Sequence, residues 1–263
     1  MSLPSELCCP TCRGPLAVEG VGAACRVCDR RYSGDRGWLD FLPDLGAAGD
    51  GLGPRLMHSR ALARVYERLW RPMFFGVASG GLPDYRAEFE AVLAALASAE
   101  GGAVVDLSCG PGFTGRRLAE SGRFTRVFGL DWSLAMLARA AADNRGLMRL
   151  IRSDVANLPF KTASLAGAHA GAAFHMWPDP ASAVAEVARV VRPGGAFVAS
   201  TFAHTRGLRR RLEVAASALG RFHVFEVDQL RGMLGAHGLV DFECERRGSL
   251  ILFWARRAGA AAA

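Results

Sequence analysis

Val104-Val105-Asp106-Leu107-Ser108-Cys109-Gly110-Pro111-Gly112 decides the fold. The stretch reads as a buried strand ending in an acid, then a small-residue loop that opens a helix. Gly110 and Gly112 let backbone approach a ligand closely and let helix pack on strand. Downstream, strands are expected near Ala103–Leu107, Arg126–Leu130, Met148–Arg152, Ser164–Ala170 and Ala196–Phe202. Helices fall between them, near Phe113–Ser121, Ser133–Asp143 and Pro180–Val191. That alternation predicts an α/β chain with a mainly parallel, Rossmann-like sheet covered on both faces. The tail differs: a helix near Val227–His237, then Leu239–Arg246 and Ser249–Arg256 as an antiparallel hairpin closing a seven-stranded sheet.

A glycine-rich loop alone is also the mark of an ordinary tight turn. Context adds the rest. Asp131 ends the second strand, nineteen residues after Gly112. A carboxylate there accepts hydrogen bonds from ribose hydroxyls. Trp132 follows and can pack on an adenine face. The third strand runs into Ser153-Asp154-Val155-Ala156-Asn157-Leu158-Pro159-Phe160, where Asp154 can accept from an adenine amino group and the Val155 backbone can read the ring edge. Each residue has a plainer reading: a strand-end acid, a surface acid, a core aromatic. Three acids at three consecutive strand ends outweigh those readings together.

These segments resemble class I methyltransferases of the ubiquinone/menaquinone-biosynthesis type. The resemblance continues through Ala172-Ala173-Phe174-His175-Met176-Trp177-Pro178-Asp179-Pro180, Arg192-Pro193-Gly194-Gly195 and Asp228–Leu239, and covers about residues 100–256. It implies S-adenosylmethionine as cofactor. Asp106, Ser108, Gly110 and Gly112 of the first loop would take the methionine end, Asp131 the ribose, and Asp154 and Val155 the adenine, with Trp132 packing on the adenine face and Gly171 a further cofactor-binding position. Ser108 stands where the family usually has glycine.

The N-terminal segment carries a different chemistry. Five of the seven cysteines lie in the first 28 residues. Cys9-Pro10-Thr11-Cys12 and Cys25-Arg26-Val27-Cys28 form two CxxC knuckles with twelve residues between them. Two such turns converge four thiolates on one tetrahedral ion, which points to structural Zn²⁺ in a closed site without a catalytic position. A redox pair would need a thioredoxin-like βαβ context, which is missing here. Cys8 is a bystander or an alternative ligand. The segment through Tyr32–Leu42 is similar to the zinc ribbons of methyltransferase-activator proteins and to those fused to bacterial ribosomal-RNA guanine methyltransferases. The whole arrangement resembles an uncharacterised bacterial and plant-plastid methyltransferase group, carried by Val65-Tyr66-Glu67-Arg68 to Phe75-Gly76 and His169-Ala170-Gly171-Ala172-Ala173-Phe174-His175.

The expected organisation is a zinc ribbon over 1–45, a linker with helical or lid segments over 46–99, and a methyltransferase domain over 100–263. Gly46–Gly53 reads as the linker, Leu56–Phe75 as a helix and Gly76–Pro83 as a glycine-rich break, before Tyr85–Ala97 resumes helical spacing. Trp70, Phe74, Phe75 and Tyr85 would meet an apolar acceptor if that region is a lid. A helix simply packed on the sheet fits equally.

The chain has a formal charge of +7 and 51% hydrophobic residues. No apolar run reaches the roughly 18–20 residues needed to span a bilayer. The first residues lack a basic segment followed by an apolar one, so a cytoplasmic protein is expected. Lys161 is the sole lysine, so the basicity is an arginine bias and speaks only weakly for RNA. Arg206, Arg209, Arg210, Arg211 and Arg221 could contact phosphates, although such a run is more often a solvated face.

Methyl transfer is an in-line displacement that needs the acceptor held roughly 3–3.5 Å from the methyl carbon. Phenol, activated-carbon or ring-nitrogen acceptors gain from a base. His175, just past the fourth strand, is the first candidate, His169 within that strand the second and His223 the third. Three functions are weighed. A small-molecule methyltransferase acting on O, C or N of a secondary metabolite or quinone-like acceptor is favoured. Phe174-His175-Met176-Trp177 replaces the Asn/Asp-Pro-Pro-aromatic loop typical of many exocyclic-amine base methylators. An RNA base methyltransferase with an RNA-gripping ribbon, and a non-catalytic cofactor-binding partner, are the alternatives.

Overall fold

The computed structural model describes residues 2–42, 84–204 and 222–259. The expected linker at 46–53, helix at 56–75, glycine-rich break at 76–83 and arginine run at 206–221 all lie outside them. Strands β1 (Leu16–Glu19), β2 (Gly22–Cys25) and β3 (Arg31–Tyr32) form a small antiparallel sheet. The fourth strand, β4 (Leu39–Asp40), leaves it and joins the large sheet.

The large sheet follows from the alternation in the sequence. Helix α1 (Tyr85–Ala95) precedes β5 (Ala103–Leu107), and then come α2 (Phe113–Glu120), β6 (Arg126–Asp131), α3 (Leu134–Asp143), β7 (Arg149–Arg152) and β8 (Leu165–Ala170). After these come α4 (Pro180–Val190), β9 (Val191–Phe202), α5 (Val227–Ala236), β10 (Leu239–Arg247) and β11 (Leu250–Arg257). The strand order is β10-β11-β9-β8-β5-β6-β7-β4. Strands β4 to β9 run parallel, and β11 and β10 close the other edge antiparallel. This is a Rossmann-like methyltransferase sheet.

Among the described residues it has eight strands, one more than expected, because β4 pairs in parallel with β7 (Leu39↔Ile151, Asp40↔Arg152). Two residues carry too little periodicity to be read as a strand. Strand β9 also begins earlier than expected. Val191 pairs with Leu165, and the chain makes an irregular step before Ala196 joins Gly167. Gly194, at φ 76°, turns the chain within that step.

Adjacent residues point to opposite faces, so each strand feeds two cores. Val105, Leu107, Leu130, Ile151, Phe160 and Phe197 fill one, and the ribbon's Leu7, Cys9, Cys25, Tyr32 and Phe41 belong to the same cluster. Val104, Leu118, Leu137, Leu150 and Val198 fill the other. Caps fix the helix starts. Ser133 Oγ accepts from the Met136 amide, and Asp179 Oδ1 accepts from Ala181 and Ser182 just ahead of Pro180. Among the described residues, no helix is long and apolar enough to cross a membrane.

Candidate cofactor site and cysteine cluster

The strand order reverses between β5 and β8, and ligands of open α/β sheets bind outside the carboxyl ends at such a point. Asp106, Ser108, Gly110, Gly112, Asp131, Trp132, Asp154, Val155, His169 and Gly171 all lie at this edge. The loop after β5 is built from left-handed backbone: φ is 52° at Ser108, 56° at Gly110 and 87° at Gly112. A β-carbon on Gly110 would meet nothing within 4 Å, so this glycine presents bare backbone to open space. On Gly112 a β-carbon would come within 2.8 Å of Met148 Cε, so that glycine seats α2 on the sheet.

Ser108 holds a conformation that favours glycine, and its hydroxyl is engaged. Oγ accepts a hydrogen bond from the Trp177 indole N–H at 3.0 Å. The departure from the usual glycine is thereby tied to a residue on the loop after β8.

Asp131 is buried and holds the cradle together. Its Oδ2 accepts from the Gly110 amide and Oδ1 from the Ser133 amide, each at 2.8 Å. Burial pushes its carboxyl up to about 6, against these two amides, which favour the charged form. The free lone pairs suit the hydroxyls of a ribose. Trp132 is half-buried beside it, and Asp154, also half-buried, accepts from the Ala156 amide at 2.9 Å.

His169 Nδ1 lies 2.7 Å from Asp106 Oδ1, with both side chains buried. A carboxylate only accepts, so Nδ1 is the donor of this pair, and in the neutral ring Nε2 is the acceptor. The Cε1–Nε2 edge lies against Gly171, where a β-carbon would come within 2.9 Å of Cε1 and 3.3 Å of Nε2. Gly171 therefore makes room for this ring. His175 sits in a short 3₁₀ turn after β8, buried against Phe202 with ring centroids 4.6 Å apart. Burial drops its imidazole to about 3, so it is neutral across physiological pH. His223 is exposed, and its amide donates to the His175 carbonyl at 2.7 Å.

Two further residues, Arg152 and Asp40, meet the turn after Asp131. Arg152 ends β7 and donates from Nε to the Trp132 carbonyl at 3.1 Å. Asp40 of β4 faces its guanidinium at 3.2 Å. Arg152 closes an apolar strand in the row of the site acids, but nothing in the sequence pairs it with a residue more than a hundred positions earlier.

Cys9, Cys12, Cys25 and Cys28 present four sulfurs that all lie within 4.8 Å of one another. Cys9 and Cys28 are 3.7 Å apart and Cys12 and Cys25 are 3.4 Å apart. A tetrahedral ion with bonds of about 2.3 Å separates its sulfurs by about 3.8 Å, so the donor set fits zinc. The Tyr32 hydroxyl lies 3.0 Å from Cys9 Sγ. Cys8 stands outside the cluster.

A Rossmann-like sheet with an acid at each of three successive carboxyl ends defines the class as S-adenosylmethionine-dependent methyltransferases. Comparison with known proteins agrees. A family model described as a methyltransferase domain matches residues 105–199. An uncharacterized chloroplastic methyltransferase of Arabidopsis thaliana is 34% identical over 95% of this chain and 78% of its own. A second from the same plant is 33% identical over 95% and 77%. The demethylmenaquinone methyltransferase of Desulfitobacterium hafniense is 36% identical over 36% of this chain and 40% of its own. Among solved structures, a chain from the complex between the Haloferax volcanii methyltransferase activator and its methyltransferase superposes with TM-score 0.60 at 18% identity. That match covers 81% of this chain and all of the other, and shows the shared fold. The chain belongs to the S-adenosylmethionine-dependent methyltransferase family and is an enzyme of that class.

Proposed function

We propose that the protein methylates O, C or N of a small apolar or aromatic acceptor, of the secondary-metabolite or quinone-like kind. The observation that carries this reading is the chemistry of the segment past β8. There Phe174, His175 and Trp177 pack with Phe202 and Phe225 into a buried aromatic cluster without a formal charge. A site bordered by such a segment suits a flat apolar molecule better than a phosphate backbone. The partial match to a demethylmenaquinone methyltransferase supports the same substrate class and the ubiquinone/menaquinone-type subgroup.

S-adenosylmethionine, when bound, supplies an electrophilic methyl group on a sulfonium. The chain's residues bind and orient. Gly110 and the Ser108 loop take the amino-acid end, Asp131 the ribose, and Trp132, Asp154 and Val155 the adenine. Of the two first-ranked histidines, His169 is assigned as the base or positioning group, because Asp106 leaves its Nε2 as an acceptor. His175, neutral and packed on Phe202, is a buried packing residue beside the site. Cys9, Cys12, Cys25 and Cys28 hold a structural zinc, in an organisation of ribbon (1–45), connecting segment (46–99) and catalytic domain (100–263).

The experiment is incubation with radiolabelled S-adenosylmethionine and two acceptor pools, a set of naphthoquinols and phenols, and total RNA. Label in the organic extract that disappears in His169→Asn, which can keep the bond to Asp106, supports the reading. Label in RNA alone overturns it in favour of a base methyltransferase.

A further inference from the structure

The ribbon is part of the catalytic sheet. Asp131, Arg152 and Asp40 lie in register across the ends of β6, β7 and β4 (Asp131↔Arg152, Asp40↔Arg152). The Phe41 amide donates to the Arg152 carbonyl at 2.9 Å, which continues the pairing past the last strand residue. The Arg152 side chain is only 5% exposed. Its Nη1 sits 3.3 and 3.2 Å from the two Asp40 oxygens, and its Nε donates to the Trp132 carbonyl. A single guanidinium therefore spans from the ribbon strand to the residue that follows Asp131. A buried guanidinium is costly unless a carboxylate faces it, so Asp40 holds Arg152 in that pose.

The first cysteine knuckle reaches the other end of the same segment. The Cys8 amide donates to the Pro159 carbonyl at 3.0 Å. Arg13 donates to the Leu158 carbonyl at 2.7 Å and to Asn157 Oδ1 at 3.0 Å. Residues 152–160, which carry Asp154 and Val155, are thus gripped by the ribbon at both ends.

We propose that Asp40 is a positioning residue for the cofactor pocket. Through Arg152 it sets the turn that carries Asp131 and Trp132, so that the ribbon and cofactor binding are coupled. The proposal rests on reading Asp131 and Trp132 as cofactor contacts. Coupling of this kind is reciprocal: a cofactor that prefers the ordered turn also stabilises the ribbon that orders it.

The test is calorimetric titration of S-adenosylhomocysteine into the full chain, with zinc per chain measured by mass spectrometry. Asp40→Asn keeps an oxygen for the Leu42 amide, which Asp40 Oδ1 accepts at 3.1 Å, but removes the charge facing Arg152. It should weaken binding about tenfold while zinc content stays at the parental value. Asp40→Glu should recover part of the loss. Arg152→Lys, whose one nitrogen cannot serve both Asp40 and the Trp132 carbonyl, should weaken binding similarly. If Asp40→Asn loses zinc or secondary structure, Arg152→Lys decides. Parental affinity in both variants overturns the proposal, because a merely structural link would lower the melting temperature without moving the dissociation constant. A parent that binds no S-adenosylhomocysteine instead overturns the cofactor reading on which the proposal stands.

Discussion

His169 and Asp106 face each other in register across the parallel strands β8 and β5, with Nδ1 2.7 Å from Oδ1 and side-chain exposures of 4% and 3%. A buried carboxylate is tolerated only when it is paired. His169→Ala leaves Asp106 without that partner and opens a cavity, and it should cost about 2–4 kcal/mol in urea unfolding. His169→Asn is the informative variant. Its amide N–H₂ can occupy the place of Nδ1–H and keep the bond, so stability should stay within about 1 kcal/mol of the parent. It offers nothing where Nε2 stood. Methyl transfer should fall sharply in kcat while S-adenosylhomocysteine affinity changes little. Full activity in this variant would remove His169 from the chemistry.

Asp131 gives the cofactor site a pH signature. Burial raises its carboxyl from the ordinary 3.8 to about 6. The folded state therefore holds a proton that the unfolded state has released. The stability contributed is full below the unfolded value, near pH 4, and is lost as pH rises through about 6. Cofactor binding should run the other way, because ribose hydroxyls donate best to an ionised carboxylate. Affinity for S-adenosylhomocysteine should be flat above pH 7 and weaken below about 6, by up to about tenfold per pH unit. Titrations from pH 5 to 8 on the parent and on Asp131→Asn check this. The variant should bind weakly and without the slope.

The positions of three acids at strand ends were legible in the sequence because period and spacing carry them. Asp106 and Asp131 lie at the ends of β5 and β6 and Asp154 just past β7, at separations that a βαβ unit imposes. The hairpin of β10 and β11 was legible from its two apolar runs and the short turn between them. What escaped was the long-range pairing. Strand β4 is two residues long, and its partnership with β7 depends on where the ribbon docks rather than on local pattern. Ser108 read as a substitute for glycine, while its indole partner Trp177 lies 69 positions away. Single-chain periodicity reports which face a residue takes, not which distant side chain meets it there.

Two glycines separate the cradle from the fold. Gly110 has φ 56° and open space where a β-carbon would stand. Gly110→Ala should cost about 1 kcal/mol in stability, the penalty of a left-handed alanine. Cofactor affinity should fall by about tenfold or more, that is about 1.4 kcal/mol. Gly167 has the opposite character, because a β-carbon there would press on Ala99 Cβ at 2.9 Å and on the Ala196 carbonyl at 3.1 Å. Gly167→Ala should cost about 1–3 kcal/mol by overpacking. Molecules that remain folded should bind S-adenosylhomocysteine as the parent does. Denaturant melts and titrations on the same two samples check both halves, and equal binding losses would show that Gly110 is only a structural turn.

The cysteine cluster predicts a metal stoichiometry that discriminates between neighbours in sequence. Cys9 turns its sulfur toward Cys28, whereas the Cys8 thiol stays outside the four-sulfur group, and burial raises it above the ordinary range. Adjacent residues of an extended segment point to opposite sides, so the two cannot exchange roles without refolding the knuckle. The purified chain should carry a single zinc ion. Cys25→Ser should remove it and melt the ribbon, since metal binding supplies the folding energy of such small units. Cys8→Ser should retain the metal and change stability by no more than about 1 kcal/mol, because Arg13 lies within hydrogen-bonding reach of a side chain at this buried position. Zinc quantified by mass spectrometry, with denaturant melts alongside, reads out all three proteins. Zinc lost from Cys8→Ser at unchanged secondary structure would make Cys8 a ligand and displace Cys9 from the set.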